Sequence, residues 1–116
     1  MSYNENDKLE EMFDRCICFQ KRLFGYDLPR KMSQRIPISI TSIIAELGEI
    51  LEENQGWKDW RKNCLPANDS YLKAEVADLW HFIINLTLYL GIDAKTLYKE
   101  FLKKNQKNNE RQDNGY

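Results

Sequence analysis

Residues 79–90, LWHFIINLTLYL, constrain the fold of this chain more than any other stretch. At the helical period of 3.6 they leave no broad polar face, as expected of the central helix of a bundle, not a helix lying half-wet on a surface. No apolar run reaches the length of about 18 residues that would suggest a bilayer span. Such a helix needs neighbours to cover it. In 116 residues, an ordinary size for one domain, three further short helices can hardly do so alone. The expectation is a single domain over residues 1–116, completed by at least one more copy of itself, as a homodimer or homotetramer.

The remaining pattern supplies those helices. Gly25, Pro29, Pro37, Gly56, Pro66, Gly91 and Gly115 mark the breaks. A first helix carries Leu9, Met12, Phe13, Cys16, Ile17, Phe19, Gln20 and Leu23 on one stripe and stops near Gly25, before a loop over 25–37. A second runs from about Ser39 to Asn54, with Ile40, Ile43, Ile44, Leu47, Ile50 and Leu51 expected on its core side. A connection with one helical turn around Trp57 and Trp60 leads to the long helix, which Asn68 or Asp69 can cap and Gly91 can end. Asp93 then caps a last helix through Leu97, Tyr98, Phe101 and Leu102, fading into a polar tail over 109–116. The fold class read from this is all-α, a bundle of four to five helices.

A hydrophobic fraction of 42% and a charged fraction of 30% describe a folded chain, and a net charge of −1 gives no field for nucleic acid or a membrane. The charge is uneven, with acids crowding 46–53 and Lys99, Lys103, Lys104, Lys107 and Arg111 near the C-terminus. Cys16 and Cys18 stand two apart, on nearly opposite sides of a helix, and read with Cys64 as core thiols of a reducing, cytoplasmic environment.

Two acidic pairs break the apolar pattern: Glu46 and Glu49 in AELGEILEE, Glu75 and Asp78 in AEVADLWHF. Each pair is spaced i,i+3 and therefore shares one helix face, which Glu53 can join. If the two helices pack side by side, the carboxylates converge, and buried unpaired carboxylates must be protonated, matched by bases or neutralised by cations. Few bases lie nearby, and an all-oxygen donor set suits magnesium, with manganese as a substitute. The plain alternative is that each pair rides the polar edge of an amphipathic helix. An anionic substrate such as a phosphate chain would then need cations on its other side. Lys104, Asn108 and Arg111, spaced by four and three, share one face of a continued helix and make a phosphate clamp; the plain reading is a solvated terminus.

AELGEILEE followed by AEVADLWHF resembles the E-x-x-E … E-x-x-D motif of the all-α nucleoside triphosphate pyrophosphatases, the superfamily of MazG proteins and dimeric dUTPases. KKNQKNNERQDNGY is similar to the closing K-N-x-x-N-x-x-R-Q-x-x-G-Y motif of the dimeric dUTPases. The motif-bearing core covers 38–108, and the likeness continues into the tail. The resemblance implies magnesium-dependent hydrolysis of a nucleoside triphosphate to the monophosphate and pyrophosphate. It implies metal ligation by Glu46, Glu49, Glu75 and Asp78, with Glu49 also orienting the attacking water. Lys104, Asn108 and Arg111 would hold phosphate oxygens, with Asn105, Gln112 and Tyr116 as weaker candidates. The closing motif favours dUTP. The short interval between Asp78 and Lys104 is closer to MazG-like proteins, which act on other or modified nucleotides, dCTP and purine nucleotides included.

For the base, Trp57 and Trp60 can stack on a ring or cover the bundle end, and Gln20 can meet a uracil edge or serve the core. Asn85 needs partners wherever it is buried, and His81 reads as a hydrogen-bonded core residue, not a metal ligand. The rival from another class is a non-catalytic helical module whose acidic face docks a basic partner, or whose basic tail touches nucleic acid.

Overall fold

The computed structural model of the chain describes Tyr3 and residues 6–115, and among these it contains four α-helices and no strand. Helix α1 spans Lys8–Phe24, α2 Ile36–Glu53, α3 Asp69–Tyr89 and α4 Ala94–Asp113. Asn68 and Asp93 cap their helices as expected, and Asp7 caps the first. Asp7 accepts from the Glu10 amide at 3.1 Å, Asn68 from the Tyr71 amide at 3.1 Å and Asp93 from the Thr96 amide at 2.8 Å. Gly91, just beyond α3, has a φ of +80°, and a Cβ there would meet the backbone nitrogen of Lys31 at 3.4 Å.

Two boundaries differ from the expected ones. Helix α2 begins at Ile36, three residues early, because Pro37 falls in the first turn, where a missing N–H costs nothing. Helix α4 does not fade at the polar tail but continues to Asp113, braced by i,i+4 bonds from Gln106 to Glu110 and from Asn109 to Asn105, each 3.2 Å.

The core is small and sits at one end. Phe13 and Cys16 of α1, Leu28 and Met32 of the 25–35 segment, Ile84, Leu88 and Tyr89 of α3, and Ala94 of α4 form it. Burial in this apolar setting pushes the Cys16 thiol up to about 11, so it behaves as a packing group. The 25–35 segment is strapped to the end of α3. The Arg30 amide donates to the Leu88 carbonyl at 3.1 Å and the Met32 amide to the Tyr89 carbonyl at 2.8 Å, which satisfies carbonyls a helix end leaves open.

The other face of α2 corrects the expectation that all its apolar residues point into the core. Ile40, Ile44, Leu47 and Leu51 are 44–63% exposed, and only Ile43 and Ile50 are half-covered. The reason is geometric: α3 covers the stripe bearing Ile43, Glu46 and Ile50, while Ile40, Ile44, Leu47 and Leu51 recur at +4, +3, +4 along a second stripe. That spacing is the one that paired helices use. Val76 and Trp80 of α3, and Tyr98, Phe101 and Leu102 of α4, are likewise largely exposed. Of the other helices, α4 packs on α1 alone among the described residues. No helix among the described residues is long and apolar enough to cross a membrane.

Candidate active site

Helices α2 and α3 pack side by side in antiparallel register. At the connection, the Glu53 carboxylate accepts from the backbone N–H of Asn68 at 2.7 Å, which commits Glu53 to structure and keeps it from joining the acidic cluster. One turn on, Glu49 and Glu75 are carboxyls that shift each other's titration, and beyond them Glu46 lies with Asp78. Antiparallel helices present mirrored spacings to each other, so an i,i+3 pair on one meets an i,i+3 pair on the other. This is why both acidic pairs share that interval.

Oxygen atoms of Glu46, Glu75 and Asp78 lie within 4.8 Å of one another, and Glu49 joins the group through Glu75. Glu75 is buried, Glu46 half-buried, Glu49 and Asp78 exposed. One carboxylate oxygen of Glu46 and one of Glu75 are buried without a partner among the described residues. Such orphaned oxygens are costly, and an all-carboxylate set of this kind fits a hard divalent cation. Burial, hydrogen bonding with Glu75 and repulsion from Glu49 push the Glu46 carboxyl up to about 7. Hydrogen bonding with Glu75 and its charge also raise Glu49, while Glu75 is lowered because it accepts from both.

A stability consequence follows for protein freed of divalent ions. Between the ordinary carboxyl range and about 7, the folded chain holds a proton on Glu46 that the unfolded chain has released, so stability falls as pH rises through that window. Chelator-treated protein should melt at a lower temperature at pH 8 than at pH 5.5, and Glu46→Gln should flatten the difference. A melting temperature that rises over this interval in the unmutated protein would contradict the assignment.

Glu46 and Asp78 line a cleft of about 870 Å³ formed by α1, α2, α3 and Arg35, whereas Glu49 faces a separate hollow with Glu53 and Tyr71. Seven residues further along each helix, two turns or about 10 Å, the same register sets Ser39 of α2 opposite Asn85 of α3. Both line the cleft, with Gln20 of α1 and Tyr89 of α3. Buried polar residues are informative because each needs a reason. Those among the described residues are Gln20, Ser39, Glu75 and Asn85, and all four belong to this site. The Tyr89 hydroxyl donates to Gln20 Oε1. The Arg35 guanidinium stacks 4.6 Å from the Phe24 ring centre and 5.4 Å from that of Tyr89.

The structure thus brings Glu46, Glu49, Glu75 and Asp78 together, and places Gln20 and Asn85 at the far end of the same cleft. His81 also lines the cleft, with Nδ1 2.8 Å from the Ala77 carbonyl, but it is exposed and not the core residue expected, because its side of α3 opens onto the cleft. Trp57 and Trp60 do not line it. They pack edge to face at 5.7 Å, and the Trp57 indole N–H donates to the Leu51 carbonyl at 2.9 Å, so they cover the end of α2. Lys104, Asn108 and Arg111 do share a face of α4, but α4 does not pack on the helices that carry the acids. Tyr116 lies outside the described residues. Sequence reasoning passed over Arg35, Ser39 and Tyr89. A serine fully buried on an apolar helix leaves a faint trace, whereas Tyr89 is hidden in the apolar run and Arg35 in a loop.

A sequence model of a family described as dUTPase matches residues 7–94, which takes in α1 to α3 and all four acids and stops at the first residue of α4. The chain is also similar to a dCTP pyrophosphatase of Enterobacteria phage T4, 29% identical over 102 residues, 75% of this chain and 60% of that protein. A dCTP pyrophosphatase of Enterobacteria phage LZ5 is 32% identical over 76 residues, 56% of this chain and 44% of that protein. The chain therefore spans at most 60% of the length of these curated relatives. No solved structure matches it significantly.

Proposed function

The chain belongs to the all-α dUTPase family, and from that premise we propose that it is a cytoplasmic, magnesium-dependent hydrolase of a pyrimidine deoxynucleoside triphosphate. The products are the monophosphate and pyrophosphate. One observation carries the reading: Glu46 and Asp78 of the acidic cluster line a cleft that, about 10 Å further along the same helices, is lined by the buried Gln20, Ser39 and Asn85. That separation suits a nucleotide, with phosphates at the acids and the base among the amides.

Glu46, Glu49, Glu75 and Asp78 would hold the magnesium, or manganese in its place. The bound cation would supply charge neutralisation of the phosphates and a lowered pKa for a water. Glu49, exposed at the edge of the cluster, positions the attacking water and takes its proton as oxygen adds to the α-phosphorus and the bond to the β-phosphate oxygen breaks. Lys104, Asn108 and Arg111 hold the leaving pyrophosphate. Since α4 does not reach the acids of its own chain, the clamp is delivered by a neighbouring copy.

Association is supported independently. The chain exposes 8740 Å², where a compact monomer of 13.8 kDa exposes roughly 6,600 Å². The excess is what an obligate homo-oligomer buries, and the Ile40–Ile44–Leu47–Leu51 seam is the surface shaped for it.

Both phage relatives are named for dCTP, whereas the closing motif favours dUTP. The test is pyrophosphate release from a panel of deoxy- and ribonucleoside triphosphates with and without magnesium. Release confined to magnesium-containing reactions and fastest with a pyrimidine is expected. No release from any nucleotide by folded, associated protein would leave the acidic face as a docking surface for a basic partner.

A further inference from the structure

We propose that Tyr89 sets the choice of base by holding the Gln20 amide in one orientation, so that the end of the cleft away from the acids selects a pyrimidine with an oxygen, not an amino group, at C4. The inference rests on the nucleotide reading above and names the substrate class within it. Gln20 and Tyr89 are both buried, 5% and 1% exposed, and both line the cleft. The amide of a glutamine offers an oxygen on one side and N–H donors on the other. With Oε1 engaged by the Tyr89 hydroxyl, the donors are the groups left to turn toward the cleft.

Arg35 reinforces the same polarity. Its guanidinium, which can only donate, is held against the Phe24 and Tyr89 rings, and its Nε is buried without a partner among the described residues. The cleft end therefore presents N–H groups from two side chains. A C4 carbonyl accepts from them. A C4 amino group faces them donor to donor, and both sides lose a hydrogen bond. Tyr89 touches neither the reacting phosphate nor the acids, so it is a positioning residue. Without its hydroxyl the Gln20 amide can turn over and offer its oxygen to an amino group.

The experiment measures binding of the non-hydrolysable α,β-imido analogues of dUTP and dCTP by calorimetry with magnesium, alongside kcat/KM for dUTP and dCTP. The unmutated protein is expected to favour the uracil nucleotide at least tenfold, and Tyr89→Phe to shrink that ratio by at least tenfold, weakening dUTP and improving dCTP. A merely structural role for the hydroxyl would weaken both nucleotides alike and leave the ratio unmoved, which would overturn the inference. So would preference for the cytosine nucleotide in the unmutated protein. Should Tyr89→Phe fail to fold, Gln20→Glu is the second variant: it places an acceptor in the cleft and should invert the preference, and an unchanged ratio would again overturn the inference. Hydrolysis of nucleotides without regard to base would sink the Tyr89 assignment while leaving the pyrophosphohydrolase reading standing. Neither binding nor hydrolysis of any nucleotide would sink both.

Discussion

Glu49→Gln is expected to lower kcat/KM by roughly 10²–10⁴-fold, the usual contribution of a positioned general base, and at the same time to raise the melting temperature of the metal-free protein at pH 8. The two effects come from one cause. Glu49 is raised by hydrogen bonding with Glu75 and by its charge, so ionising it places a further anion beside carboxylates that already repel. Glutamine keeps the shape and can donate to Glu75 without the charge. Steady-state kinetics and thermal melts on the same preparation check both halves. Lost activity with lowered stability would instead mark Glu49 as a structural residue.

The second large effect concerns the seam on α2. Placing glutamates at Ile44 and Leu47, which are 63% and 46% exposed in the single chain, should leave each chain folded while abolishing association. Light scattering should then report a mass of 13.8 kDa. Activity should drop by a factor on the order of 10², as when a transition-state donor is removed, if α4 delivers Lys104, Asn108 and Arg111 to a neighbour as proposed. A monomeric variant with full activity would show that the clamp acts within its own chain or is not needed.

How much of this was legible in the sequence depends on the range of the interaction concerned. Caps and breakers act locally, so Asn68, Asp93 and Gly91 placed the helix ends well, while Asp7 at the start of α1 went unread. Pro37 misled only because proline is tolerated in a first turn. The acidic pairs were legible as well, since carboxylates at i,i+3 among apolar residues conflict with simple amphipathicity. Their mirrored register needed the antiparallel pairing to become visible.

What stayed hidden is long-range. Tyr89 reads as one more apolar residue until it is seen to donate to Gln20, 69 positions away in the chain. Arg35 reads as a loop cation until the strap beside α3 sets it on Phe24 and Tyr89. The two stripes of α2 illustrate the same limit. Composition marks Ile40, Ile43, Ile44 and Leu47 alike as apolar, and only the position of α3 decides which of them its own chain covers.

The most direct test of the central claim follows the phosphorus of one substrate. Phosphorus NMR of dUTP or dCTP incubated with the protein and magnesium should show the monophosphate and pyrophosphate growing in equal amounts, with no orthophosphate. Orthophosphate and a nucleoside diphosphate would mean attack at the wrong phosphorus for this arrangement, and an unchanged triphosphate would contradict the catalytic account.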